Sequence, residues 1–133
     1  MRYLIDTNII IFALKDAGSL SAHKLRSTSI ADQCICSLVE AELLHGARKY
    51  AAPDEREARV KGFLAPYTSL AFDSAAAPHY ASIRDDLERR ACIIGGNDLM
   101  IAAIAMANQL TVVTHNVDEF TRVKGLSVVD WSV

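Results

Sequence analysis

At 133 residues, with 51% apolar side chains and a formal net charge of −2, the chain has the size and apolar content of one domain, 1–133, built on a single core. No apolar stretch approaches the roughly 18 to 20 residues of a membrane span, and no basic segment leads into a signal-peptide core, so a cytoplasmic protein is expected. The slight acidity excludes wholesale electrostatic attraction to nucleic acid, and Cys34, Cys36 and Cys92 lack the paired spacing of a zinc site or disulfide framework.

Tyr3-Leu4-Ile5 is a short apolar run that stops at Asp6-Thr7-Asn8, where polar side chains start a helix through Ile9 to Leu14. Gly18 and Ser19 break it, and a short amphipathic segment, Ser21 to Ser27, precedes the second apolar run at Cys34-Ile35-Cys36. Ser37 with Glu40 three residues on reads as a capping box opening a helix through Leu38, Val39, Leu43 and Leu44. Pro53-Asp54 starts another helix, carrying Val60, Phe63 and Leu64 and closed by Pro66.

Thr68 to Phe72 is the third strand candidate, and helical spacing resumes from Asp73 towards Arg90, with Pro78 predicting a kink or a late start. Ile93-Ile94-Gly95-Gly96 reads as a loop. Leu99 to Ala107 is apolar on every face, as a helix buried at the centre of a domain should be. Thr111 to Thr114 and Leu126 to Val129 complete the strands. Helices alternating with continuous apolar strands predict an α/β fold with a mostly parallel sheet of four to five strands, covered on both faces.

In such sheets ligands collect at the carboxyl ends of the strands. Asp6 ends the first strand, Glu42 lies more than a turn into the helix after the second, Asp98 starts the buried helix, and Asn116, Asp118 and Glu119 follow the fourth strand. Asp6 and Asp98 admit a plain alternative as helix caps, a role worth about 0.5 to 2 kcal/mol. Glu42 does not. About 200° of helical rotation separates it from Glu40, and an unpaired carboxylate facing the sheet edge calls for a cation. Oxygen ligands without His or Cys suit Mg²⁺ or Mn²⁺.

Four local strings carry a family resemblance. Tyr3 to Asn8, Ser37 to Ala47, Asn97 to Ala103 and Val113 to Phe120, followed by Val123 to Trp131, resemble in order and separation the motifs of VapC toxins, ribonucleases of bacterial toxin–antitoxin pairs built on the PIN domain. The resemblance covers nearly the whole chain and implies a PIN-like three-layer sandwich. It implies Mg²⁺- or Mn²⁺-dependent cleavage of RNA phosphodiesters, with transfer RNA the first candidate substrate. Asp6, Glu42 and Asp98 become the metal ligands, and Glu119 a fourth catalytic acid.

Many PIN domains carry an Asp where Asn116 stands, which leaves the number of metals open and makes Asn116 a supporting residue alongside Thr7, Asn8 and Thr114. Thr7 and Asn8 are expected to orient Asp6 or a bound water. Asp118 reads as a solvated loop residue, and none of His23, His45, His79 and His115 fits a nuclease base by motif. Arg48, Lys49, Arg122 and Lys124 are weak candidates for phosphate contacts.

The resemblance further implies inhibition by a VapB-like antitoxin that places a basic side chain in the acidic pocket, a homodimer, and operator DNA contacted only through the antitoxin. Two other readings compete: a receiver-like Mg²⁺-binding signalling domain, which would need a lysine at another strand end, and a catalytically silent PIN-like module, which the three principal acids disfavour.

Overall fold

The computed structural model describes all 133 residues. In chain order the elements are β1 (Tyr3–Ile5), α1 (Thr7–Lys15), α2 (Leu20–Ser27), a 3-10 turn (Ile30–Asp32), β2 (Gln33–Cys36), α3 (Ser37–Arg48), α4 (Pro53–Leu64), β3 (Thr68–Leu70), α5 (Ala76–Arg89), α6 (Gly96–Ala107), β4 (Thr111–Val113), α7 (Val117–Phe120) and β5 (Val128–Val129). The sheet order is β3-β2-β1-β4-β5, and every pairing is parallel. β1 sits at the centre, with Leu4 opposite Cys34 on one side and Val112 on the other.

Successive residues of a strand point to opposite faces. Cys34, Ile35 and Cys36 all have no exposure, so both faces of the sheet are covered, as continuous apolar strands require. Helix α6 is the central covering element: Leu99 and Ile101 to Ala105 are all buried, and the alanines among them let it lie close to its neighbours. It packs on α5, while α1 packs on α2 and α3 on α4.

Local chemistry sets most helix starts. Ser19 caps α2 by accepting from the amide of Ala22 at 3.1 Å. Pro53 occupies the first turn of α4, where its missing N–H costs nothing, with Asp54 and Glu55 beside it at the positive end of the helix dipole. The helix after β3 starts late: Asp73 Oδ1 accepts from the amides of Ala75 and Ala76 at 3.1 and 3.2 Å, which places Pro78 inside the first turn of α5.

One expectation fails. The capping box at Ser37 does not form, because α3 begins directly from β2 with Cys36 at the cap and Ser37 already helical. Glu40 instead accepts a bond from Ser69 Oγ of β3 at 2.8 Å. The third and fifth strands are also shorter than their apolar runs, pairing only over Thr68–Leu70 and Val128–Val129.

Candidate functional site at the switch point of the sheet

From β1 the chain builds outward through β2 and β3, then crosses back to lay β4 and β5 on the other side of β1. The segments leaving β1 and β4 therefore diverge, and this opens a crevice beyond their carboxyl ends. The amide of Asp6 donates to the carbonyl of Val113 at 2.8 Å, which clamps the two strand ends together at the base of the crevice.

Directly above the clamp, the buried hydroxyl of Thr114 donates to Asp6 Oδ2 at 2.7 Å. Asp6 occupies the cap position of α1 but makes no side-chain capping bond, and Asp98 lies within the first turn of α6, whose cap is Gly95. Neither acid therefore makes a standard N-cap bond. Glu42 projects from α3 on the face away from Glu40 and accepts from Thr7 Oγ1 at 3.0 Å. The Thr7 hydroxyl thus orients Glu42, because the first residue of α1 turns its side chain towards α3.

Asn116 holds the remaining acids. One amide group, Nδ2, donates to Asp98 Oδ2 at 2.9 Å and to Glu119 Oε2 at 2.8 Å, joining the start of α6 to α7. The backbone of Asn116 is fixed in turn, its amide donating to Thr114 Oγ1 at 2.9 Å. Three uncharged side chains therefore aim four carboxylates.

Asp6, Thr7, Asn8, Glu42, Asp98, His115 and Asn116 line one pocket of about 460 Å³ with no hydrophobic residue among them. Glu119 stands behind this lining, meeting the site through Asn116 and Asp98. His115 is the lining residue that motif reasoning passed over; its neighbours Asp130 and Ser132 lie far along the chain, and nothing in the spacing announced them.

The electrostatics are those of acids gathered without a counter-charge. No ion pair involves Asp6, Glu42 or Asp98. Burial raises the pKa of Asp6, opposed by the Thr114 hydroxyl and then the Thr7 amide. Burial likewise raises Glu42, opposed by the Thr7 hydroxyl, while the charge of Asp6 pushes it further up. Asp98 is raised to about 7, first by burial and then by its hydrogen bond with Glu119 and the charge of Asp6. Glu119 is lowered by that same bond and by Asn116, so the two acids titrate together.

Carboxylates gathered in this way repel one another, and a bound cation would relieve that repulsion. The donors are oxygens throughout, and no three His, Cys, Asp or Glu side chains close around a single point. Oxygen donors of this kind are the ligand type of an ion such as Mg²⁺, which keeps several waters and needs only one or two carboxylates together with phosphate oxygens from a substrate.

The PIN domain family model matches residues 3–126 of the chain. This chain is a VapC-type PIN domain. It is 37% identical over 132 residues to the tRNA(fMet)-specific endonuclease VapC of Shigella flexneri, covering 99% of each chain. Two solved structures share the fold at nearly full length. The DNA-bound VapBC of Salmonella typhimurium superposes with a TM-score of 0.91 at 35% identity, covering 98% of both chains. VapBC2 of Rickettsia felis bound to a promoter fragment gives 0.88 at 31%, covering 98% of this chain and 99% of that one. PIN-domain ribonucleases generally depend on a divalent metal ion.

Around this PIN domain's pocket the four basic candidates separate. Arg48 pairs with Glu57 at 3.4 Å and Lys124 with Asp86 at 3.7 Å. Arg122 donates to the carbonyl of Ile93 at 3.2 Å. Lys49 alone of the four lines a groove that also contains Thr7, Asn8 and Glu42, together with Lys15, Arg56 and Arg59. The chain also contains no helix long and apolar enough to cross a membrane.

Proposed function

We propose that this chain is the ribonuclease toxin of a toxin–antitoxin pair, hydrolysing RNA phosphodiesters at the Asp6–Glu42–Asp98 pocket with Mg²⁺ or Mn²⁺. One observation carries the reading: three carboxylates from stretches of chain far apart in sequence line a single pocket without a basic partner. Similarity at full length to a tRNA(fMet)-specific endonuclease supports transfer RNA as substrate and the whole of 1–133 as the working unit.

Asp6 and Glu42 supply fixed negative charge at the divergent strand ends, held ready by Thr114 and Thr7. Asp98 becomes fully charged once it gives up its proton, titrating together with Glu119, and Asn116 keeps both acids in place as it does so. A divalent ion held by Asp6, Glu42 and Asp98 would acidify a water for attack on phosphorus near neutral pH and would offset the charge that builds on the phosphate. Glu119, behind the lining, sets the protonation of Asp98. Asn8 faces the pocket and is assigned to water or substrate. Lys49 is the phosphate contact favoured among the four basic residues.

The Salmonella and Rickettsia relatives are VapBC complexes with DNA. For this chain we assign a VapB-like antitoxin as partner, with DNA reached through it, a homodimeric state, and action in the cytoplasm, where transfer RNA is found.

Incubating the purified protein with total RNA in Mg²⁺ or Mn²⁺ tests the reading. Discrete cuts that vanish with EDTA and with Asp6→Ala are expected. Cleavage that survives either treatment removes the metal-carboxylate mechanism, and no cleavage of any RNA removes the ribonuclease reading.

A further inference from the structure

His115 takes no part in the carboxylate arrangement, yet it lines the acidic pocket. Its Nδ1 lies 2.9 Å from Ser132 Oγ and 3.3 Å from Asp130 Oδ2. Ser132 Oγ is itself 2.6 Å from Asp130 Oδ1 and commits its one hydrogen to that carboxylate. Burial pushes the Asp130 carboxyl up, but the hydroxyl and amide of Ser132 and the His115 ring hold it below the ordinary range, so it accepts as an anion. Both groups facing Nδ1 are therefore acceptors, and Nδ1 carries the proton.

The ring is fixed from a second side. Phe12 of α1 meets it edge-on, with centroids 5.4 Å apart and planes at 80°. Turning the ring over would put Cδ2 in the place of Nδ1 and break the contacts to Ser132 and Asp130. In the neutral ring with the proton on Nδ1, Nε2 bears a lone pair. Nothing in the protein bonds to Nε2, and the side chain is 52% exposed.

An acceptor at the mouth of this pocket meets two kinds of backbone group on a nucleic acid. Phosphate oxygens only accept, and would be repelled by a lone pair. The ribose 2′-hydroxyl donates, and DNA lacks it. We propose that His115 Nε2 accepts a hydrogen bond from a ribose 2′-hydroxyl beside the scissile phosphate and so selects RNA over DNA, with Asp130 and Ser132 as the positioning residues. The inference rests on the ribonuclease reading and names the feature of the substrate that the site reads.

Single 2′-deoxy substitutions walked along a cleaved RNA oligonucleotide test it. For the wild type, one position next to the cut should lose roughly three- to tenfold in kcat/KM, the worth of one uncharged hydrogen bond. His115→Ala should cut the all-ribose oligonucleotide slower by that factor and show no further loss at that position. His115→Gln, whose carbonyl can accept, should restore part of the discrimination, and Asp130→Ala, which frees the ring, should blunt it. A deoxy penalty of unchanged size in His115→Ala overturns the proposal, as does an equal loss on ribose and deoxyribose at every position, which would mark a phosphate contact.

Affinity separates this result from the fate of the ribonuclease reading. Asp98→Asn and the double variant Asp98→Asn/His115→Ala are titrated with the same labelled oligonucleotides and read by fluorescence anisotropy. A deoxy penalty in Kd that disappears with His115→Ala supports the hydroxyl contact even if no cleavage is ever seen. A penalty that persists, or none in either protein, overturns it.

Discussion

The hydroxyl of Thr114 and the carboxylate of Asp6, separated by 108 positions of sequence, meet at 2.7 Å between the ends of two neighbouring parallel strands. The bond fixes the orientation of an acid whose pKa burial raises, and under the proposed mechanism it is an outer support of the ion site. Thr114→Val keeps the shape and removes the donor. Losing that hydroxyl pushes the Asp6 carboxyl further up, so an incoming ion must displace a proton more often. The apparent affinity for Mn²⁺ should fall by about tenfold, within the range for supports of this kind, as measured by calorimetric titration at pH 7. Thr114→Ser should retain most of it, and an unchanged affinity in the valine variant would contradict the role.

Asp98, raised to about 7, makes the metal-free protein less stable as pH rises. Between the ordinary aspartate range and about 7 the folded chain keeps a proton that the unfolded chain has released, so stability falls through that window and levels off above it. A shift of about three units corresponds to about 4 kcal/mol, but a half-exposed group is screened by solvent and the loss should be on the order of 1 kcal/mol. Asp98→Asn should therefore unfold at a higher temperature than the wild type at pH 8 without metal, and the two should converge near pH 4. Urea unfolding at both pH values checks the sign.

Asn116 is the place where charge is withheld. Replacing it with Asp would set a third carboxylate between Asp98 and Glu119, removing both amide bonds and adding repulsion. Asn116→Asp should lower the metal-free melting temperature and enlarge the rise in melting temperature produced by Mn²⁺, because each added negative charge favours the cation. A thermal shift series with and without EDTA reads both effects. A variant stabilised in EDTA would show that the acids do not repel one another across this position.

Much of this arrangement was readable from residue order alone. Apolar runs such as Cys34 to Cys36 gave the buried parallel strands, and the all-apolar stretch behind Asp98 gave α6. The two-residue step from Glu40 to Glu42 separated a surface acid from a pocket acid, and the structure sends Glu40 to Ser69 and Glu42 to Thr7. What could not be read depends on tertiary direction. Thr7 follows Asp6 directly yet its hydroxyl serves Glu42, because the turn from β1 into α1 faces α3. The tail residues Asp130 and Ser132 reach His115 only because β5 lies beside β4. Ser37 and Glu40 had the spacing of a cap, but the strand ran straight into the helix and left no cap residue free.

Gln33 shows that the two ends of the sheet do different work. It opens β2 at the edge remote from the acidic pocket, only 2% exposed, and its Nε2 donates to the carbonyls of Leu25 and Thr28 at 3.0 and 2.9 Å, where α2 ends. Its Oε1 accepts from Tyr67 Oη at 3.4 Å. Gln33→Leu keeps the volume but leaves buried carbonyls without that donor, at a cost of about 2 kcal/mol, or about 6 to 10 °C in Tm for a chain of this length. Because the carboxylate pocket lies at the opposite strand ends, kcat measured below the melting transition should match the wild type. If kcat drops in step with Tm, the α2–β2 junction is coupled to the carboxylates, and the division of labour between the two ends of the sheet does not hold.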